Sequence, residues 1–204
     1  MLFIIPNIAI AQESPYTLQT ILPLSLRSTE IIHVGLILDT TIPSAKVEAV
    51  KSAIISNDYF TNDGQRLYKG WQGALSNLGN QPGLVVPQKF DISESEDKFD
   101  KIIIRLTDKI NPNGYNGYTI PIIKTNEDVL QSSITIYDIN NLDNNEISQI
   151  VRHEFGHALG LGHSTDPHDL MNPDISMGNS YISSCALAGI RAVYSGHIQS
   201  QIYC

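Results

Sequence analysis

The residues of this chain best suited to chemistry fall in one stretch, HEFGHALGLGHSTDPHDLMNP, at positions 153–173. His153 and His157 are four apart, a spacing that puts both imidazoles on one face of a helix, about one turn from each other. Two neutral imidazoles so placed can take two corners of a zinc tetrahedron. Glu154, beside the first, is placed to hold and deprotonate an activated water. Gly160 follows three residues after His157. Glycine enters left-handed backbone at little cost, so the helix can end there and the chain can turn. The turn returns His163 as a third ligand. Three protein ligands leave a fourth position open for water, the catalytic rather than the closed structural arrangement. A bare H-E-x-x-H is a weak signal. The full H-E-x-x-H-x-x-G-x-x-H would arise by chance in on the order of one chain in 10⁵ of this length.

The elements that must position these residues can be read from pattern. Asp143 and Glu146 frame a capping box. Behind it Ile147, Ile150, Val151, Phe155, Ala158 and Leu159 make the apolar side of a helix whose other side carries His153 and His157. Upstream, Ile31–Asp39 is rich in β-branched residues and reads as a first strand; His33 within it reads as a packed or half-exposed residue, not a ligand. Pro43 suits a helix start, and Val47, Val50 and Ile54 keep helical spacing. After the turn formers of NDYFTNDG, helical spacing resumes with Leu67, Trp71, Ala74, Leu75 and Leu78, so this region is expected to be one broken helix or two, with Trp71 in the core. Strands are expected at Lys89–Ser93, Lys101–Leu106 and Ser133–Asp138. Another is expected at Tyr118–Lys124, where Pro121 suits a sheet edge. A final helix is expected over Ile182–Tyr194. This order fits an α+β domain with a mixed sheet.

With 204 residues, 42% of them hydrophobic, the chain suits one globular domain. A formal charge of −8 and the lack of a basic cluster argue against nucleic acid as a partner. No run reaches a membrane-spanning length. Residues 1–11, MLFIIPNIAIA, are apolar and end small-x-small, which reads as a secretory signal cut before Gln12; the alternative is a buried N-terminal strand. Residues 12–30 read as a short extended leader, leaving 31–204 as a single domain. In an exported chain Cys185 and Cys204 are candidates for a disulfide. Two free thiols, or Cys204 as an occasional zinc ligand, are the alternatives.

The ligand motif resembles that of the metzincin zinc metallopeptidases. Ser164 after the third histidine and the run ALGLGHSTD resemble the matrixin (matrix metalloproteinase-like) branch. The resemblance implies a metzincin fold: a mixed, mostly parallel twisted sheet with an antiparallel edge strand, a backing helix, an active-site helix, a Met-turn and a C-terminal helix. It implies an N-terminal subdomain at 31–160 and a C-terminal one at 161–204. Met171 then stands as the Met-turn residue, a hydrophobic floor and not a ligand. Zn²⁺ is implied as a single catalytic ion held by His153, His157 and His163, with Glu154 as the catalytic base. A secreted or cell-surface monomer cutting protein or peptide substrates is implied with it. Tyr118, Thr119, Ile120 and Pro173 are the candidate substrate contacts. Several features depart from the matrixin pattern. No histidine lies between His33 and His153, so a histidine-held second zinc is not expected. Calcium is considered near Asp138 and the loop 138–145, and at the acid-rich NDYFTNDG loop, which does not fit the EF-hand pattern. Cys185-Ala186 replaces a paired aspartate, and Pro173-Asp174-Ile175 alters a pocket wall. His168 and His197 read as surface residues. The reading from another class is a catalytically silent zinc-binding surface or adhesion module.

Overall fold

In the computed structural model, residues 16–24, 31–78, 84–97, 99–123, 129–174, 180–195 and 200–204 are described. The elements run β1 (Thr17–Thr20), β2 (Ile32–Leu38), α1 (Ser44–Ile55), β3 (Tyr59–Asn62), β4 (Gln65–Tyr68), α2 (Trp71–Ser76), β5 (Phe90–Ser93), β6 (Ile102–Leu106), β7 (Gly117–Ile123), β8 (Val129–Ile136), α3 (Asn144–Ala158), β9 (Leu161–Ser164), α4 (Ser184–Tyr194) and β10 (Gln201–Tyr203).

The main sheet has the order β5-β2-β6-β8-β7. Its first four strands are parallel and β7 closes one edge antiparallel to β8. This is the α+β architecture with a mixed, mostly parallel sheet. Period-two alternation decides the faces. Val34, Ile102, Ser132 and Pro121 share one row, and Leu36, Ile104, Ile134 and Thr119 the next. The apolar members of these rows within β2, β6 and β8 are fully buried in the core they share with α1 and α3. Lys46 on α1 donates to the carbonyls of Ile139, Asn140 and Leu142 at 2.7–2.9 Å, which pins the loop leading into α3.

Two stretches differ from expectation. Leu67 does not continue a helix: it lies in β4, paired with Phe60 of β3. Asp63 (φ 48°) and Gly64 (φ 77°) form the two-residue turn between these strands. Positive φ at both positions matches the twist of a tight hairpin, which is why Asp-Gly serves there. Helix returns only at Trp71–Ser76. The stretch read as a leader contributes β1, whose Leu18 is fully buried. β1 is the middle strand of a second sheet, order β10-β1-β9, on which α4 packs. Cys185 of α4 is joined to Cys204 after β10 by a disulfide, with a Cα–Cα distance of 5.4 Å. Residues 1–11 lie outside the described residues, and no described helix is long and apolar enough to cross a membrane.

Candidate active site

The active-site candidates begin on α3. Its N-terminus carries both halves of the capping box: Asp143 accepts from the Asn145 and Glu146 amides, and Glu146 accepts from the Asp143 amide at 2.7 Å. Buried Ile147, Ile150, Val151 and Phe155 hold the helix on the core. That leaves His153, Glu154 and His157 toward its C-terminal end. The helix stops at Gly160, whose φ of +101° is outside the range a side-chain-bearing residue adopts easily. A Cβ there would also lie 2.7 Å from the Leu22 carbonyl. The turn leads directly into β9, which carries His163.

Ligand atoms of His153, His157 and His163 lie within 4.8 Å of one another. Among the described residues this is the one group of three or more histidines, cysteines or acids that could hold a metal. His153 is buried, His157 intermediate and His163 exposed, so the group opens to solvent on one side. His153 Nδ1 lies 2.8 Å from the Leu170 carbonyl, and His157 Nδ1 lies 2.8 Å from the Leu161 carbonyl. A carbonyl can only accept, so Nδ1 carries the proton in both rings and both Nε2 atoms are left with lone pairs. Those Nε2 atoms face each other at 3.0 Å. Two facing lone pairs repel unless a cation lies beside both. Tetrahedral zinc with bonds of about 2.0–2.1 Å needs its nitrogens about 3.3 Å apart, so the donors present fit that ion. Burial pushes His153 down to about 4 and His157 to about 3, which keeps both rings neutral, as ligands must be.

Glu154 is buried beside β7. Its Oε2 accepts a hydrogen bond from the Thr119 hydroxyl at 2.6 Å, and the same hydroxyl lies 3.1 Å from the Glu154 carbonyl. A Cβ on Gly117 would come within 2.5 Å of Oε1. Burial raises the Glu154 carboxyl to about 7, against the opposing pull of the Thr119 bond. A group poised there can take and return a proton near neutrality.

The floor is Met171, fully buried. Gly156, between His153 and His157, lets it in: a Cβ there would stand 2.6 Å from Met171 Sδ. The Met171 carbonyl accepts from the Ser164 amide at 2.9 Å, joining the floor to the residue after His163. Buried Asp169 accepts from the Met171 amide at 2.8 Å and from the Ser183 hydroxyl at 3.0 Å. Ser183 in turn caps α4 by accepting from the Ala186 amide. Trp71 donates to the Arg152 carbonyl at 2.9 Å, and Arg152 donates to the Lys69 and Ser180 carbonyls.

The other candidates are distributed differently. Tyr118 and Ile120 are about half exposed and alternate with Thr119, whose side chain is spent on Glu154. Pro173 is exposed just beyond Met171, and His168 is exposed. Ile175 and His197 lie outside the described residues. His33 sits on the outer sheet face, 3.4 Å from Asp91. In the loop considered for calcium, Lys46 already engages three carbonyls, and Asp138 accepts from Asn141. Gly117, Gly156 and Asp169 were not singled out from sequence. The small residue inside H-E-x-x-H was the available signal for Gly156; nothing local marked Gly117.

Comparison with known proteins adds a second line of observation. A family model described as Matrixin matches residues 86–195, just over half of the chain. "Probable matrix metalloproteinase 095L" of Invertebrate iridescent virus 3 is 60% identical over 37 residues, 18% of this chain and 10% of that protein. Matrix metalloproteinase-20 of Homo sapiens is 48% identical over 48 residues, 22% of this chain and 10% of that protein. Interstitial collagenase of Equus caballus is 42% identical over 55 residues, 26% of this chain and 12% of that protein. The aligned stretches therefore span about a tenth of each relative's length. A solved structure of myroilysin aligns with 68% of this chain and 51% of that one at 22% identity, with a TM-score of 0.35, a likeness too loose to bear on the fold.

Proposed function

Because the chain belongs to the matrixin family, we propose that it is a zinc-dependent endopeptidase cutting extended polypeptides, with His153, His157 and His163 as ligands and Glu154 as general base. The observation that carries this reading is the pair of facing Nε2 atoms at 3.0 Å, next to a buried carboxylate on the adjoining residue. Bound at these nitrogens, zinc would supply the Lewis acidity that acidifies a water and polarises a carbonyl. The carbonyls of Leu170 and Leu161 hold the first two rings in the ligating tautomer. Glu154 accepts the proton that the attacking water sheds and returns it to the leaving nitrogen. Among the described residues β7 is the edge strand of its sheet, and its outer side would offer backbone groups to a substrate strand, with Tyr118 and Ile120 exposed beside it. The Cys185–Cys204 bridge suits an exported protein.

A silent zinc-binding module is the competing reading. It gives no reason for a carboxylate to be buried beside the ligands and held by a hydroxyl. The deciding experiment is cleavage of casein by the chain from Gln12 onward, with zinc, with a chelator, and with Glu154→Gln. Chelator-sensitive cleavage that falls about 10²–10⁴-fold in the variant, with zinc content unchanged, is the expected result. Full activity in Glu154→Gln would remove the base from the mechanism. No cleavage by the zinc-loaded chain would favour the silent module.

A further inference from the structure

We propose that Gly117 and Thr119 together form a seat that sets the aim of the Glu154 carboxylate, so that β7 is part of the catalytic machinery and not only an edge for substrate. The inference rests on the endopeptidase reading above. Residues 117 and 119 are two apart on one strand and therefore face the same way. Their register partners, Ile136 and Ile134, are both fully buried, so that face is the core face, toward α3.

The two residues act on the two carboxylate oxygens differently. Oε2 accepts the short bond from Thr119 Oγ1 at 2.6 Å. Oε1 lies over Gly117, where an added Cβ would meet it at 2.5 Å, and would meet Glu154 Cγ and Ile150 Cγ2 at 2.7 Å. One oxygen is tied and the other is bounded by bare backbone. A glutamate has several rotatable bonds, and a bond on one side with a wall on the other removes most of that freedom before substrate arrives. The hydroxyl also lies 3.1 Å from the Glu154 main-chain oxygen, so it registers β7 against the helix backbone as well as the side chain. Thr119 is thus a positioning residue. It was expected to touch substrate; its hydroxyl faces the base instead. Misplacing a reacting group by about 1 Å costs on the order of 10²-fold in rate, which is the scale expected here.

Two variants separate the bond from the wall. Thr119→Val keeps the β-branched shape and removes the hydroxyl. It is expected to lower kcat about 10–100-fold, with KM within about twofold and one zinc per chain retained. Thr119→Ser, which restores the hydroxyl, recovers most of the loss. Gly117→Ala removes no hydrogen bond but pushes the carboxylate aside, and lowers kcat on the same scale. An activity-free readout is infrared difference spectroscopy of the zinc-free protein. The carboxyl band that vanishes in Glu154→Gln shifts in Thr119→Val and returns in Thr119→Ser. If Val and Ser are equally impaired, or the change falls on KM alone, the residue serves packing or substrate binding and the seat is refuted. If Glu154→Gln is inactive while Thr119→Val and Gly117→Ala both match wild type, this inference alone falls. If Glu154→Gln is fully active, the reading it rests on falls with it.

Discussion

The Leu170 carbonyl lies 2.8 Å from His153 Nδ1, so the residue just before the buried Met171 selects the tautomer of that imidazole. The Leu161 carbonyl does the same for His157. The two Nε2 lone pairs face each other at 3.0 Å, and a cation beside both would relieve their repulsion. Zinc at about a thousandfold its Kd should add about 4 kcal/mol, or roughly 8–16 °C in Tm for a chain of this size. Calorimetry with and without chelator measures the shift, and His157→Ala should abolish it. A Tm indifferent to the chelator would sink the metal assignment.

Asp169 links the floor of the site to the cap of α4. Asp169→Ala strands the Met171 amide and the Ser183 hydroxyl and should cost about 3 kcal/mol, roughly 6–12 °C in Tm. Burial raises the Asp169 pKa from its ordinary 3.8, although the Met171 and Ser183 bonds pull the other way. As pH rises past 3.8 the unfolded chain loses this proton first, while the folded chain keeps it up to the raised value. The unfolded state then binds fewer protons, so this residue's contribution to stability falls with rising pH across that window. Urea melts of the zinc-free protein and of Asp169→Asn, compared across mildly acidic pH, should show a steeper fall in the former, because Glu154, raised in the same direction, contributes to both. Parallel curves would refute it.

Gly160→Ala combines an unfavourable φ with a Cβ 2.7 Å from the Leu22 carbonyl and 2.9 Å from Val193 Cγ1. A loss of about 2 kcal/mol or more is expected. Zinc affinity should drop at least about tenfold with it, because Leu161 and His163 follow the turn directly. Chelator competition reads the affinity, and wild-type values in both measurements would rule out a role for the turn.

The histidine cluster is legible in the sequence because its geometry is local: an i, i+4 pair on one helix, then a glycine turn. The seat of Glu154 is not. Thr119 is 35 residues from Glu154 in sequence, and they meet only because the tertiary fold packs α3 against β7. Leu67, Trp71 and Leu75 keep helical spacing by coincidence, although Leu67 lies in β4. Asp63-Gly64 was the stronger local signal and marks a hairpin. β1 escaped notice because Leu18 is its one buried residue, too little to show a period.

β1 touches β9 and β10 along its two edges, so the strand carrying His163 is braced by residues from the opposite end of the chain. The Thr17 amide reaches the Thr165 hydroxyl across 148 residues of sequence. Contacts of that span close the largest loops and form late in folding. His163 is therefore expected to reach its place only after those distant segments have met, while His153 and His157 can be brought together by a local helix. In refolding, tight zinc uptake should follow the slowest phase, which ties the onset of activity to completion of the whole domain.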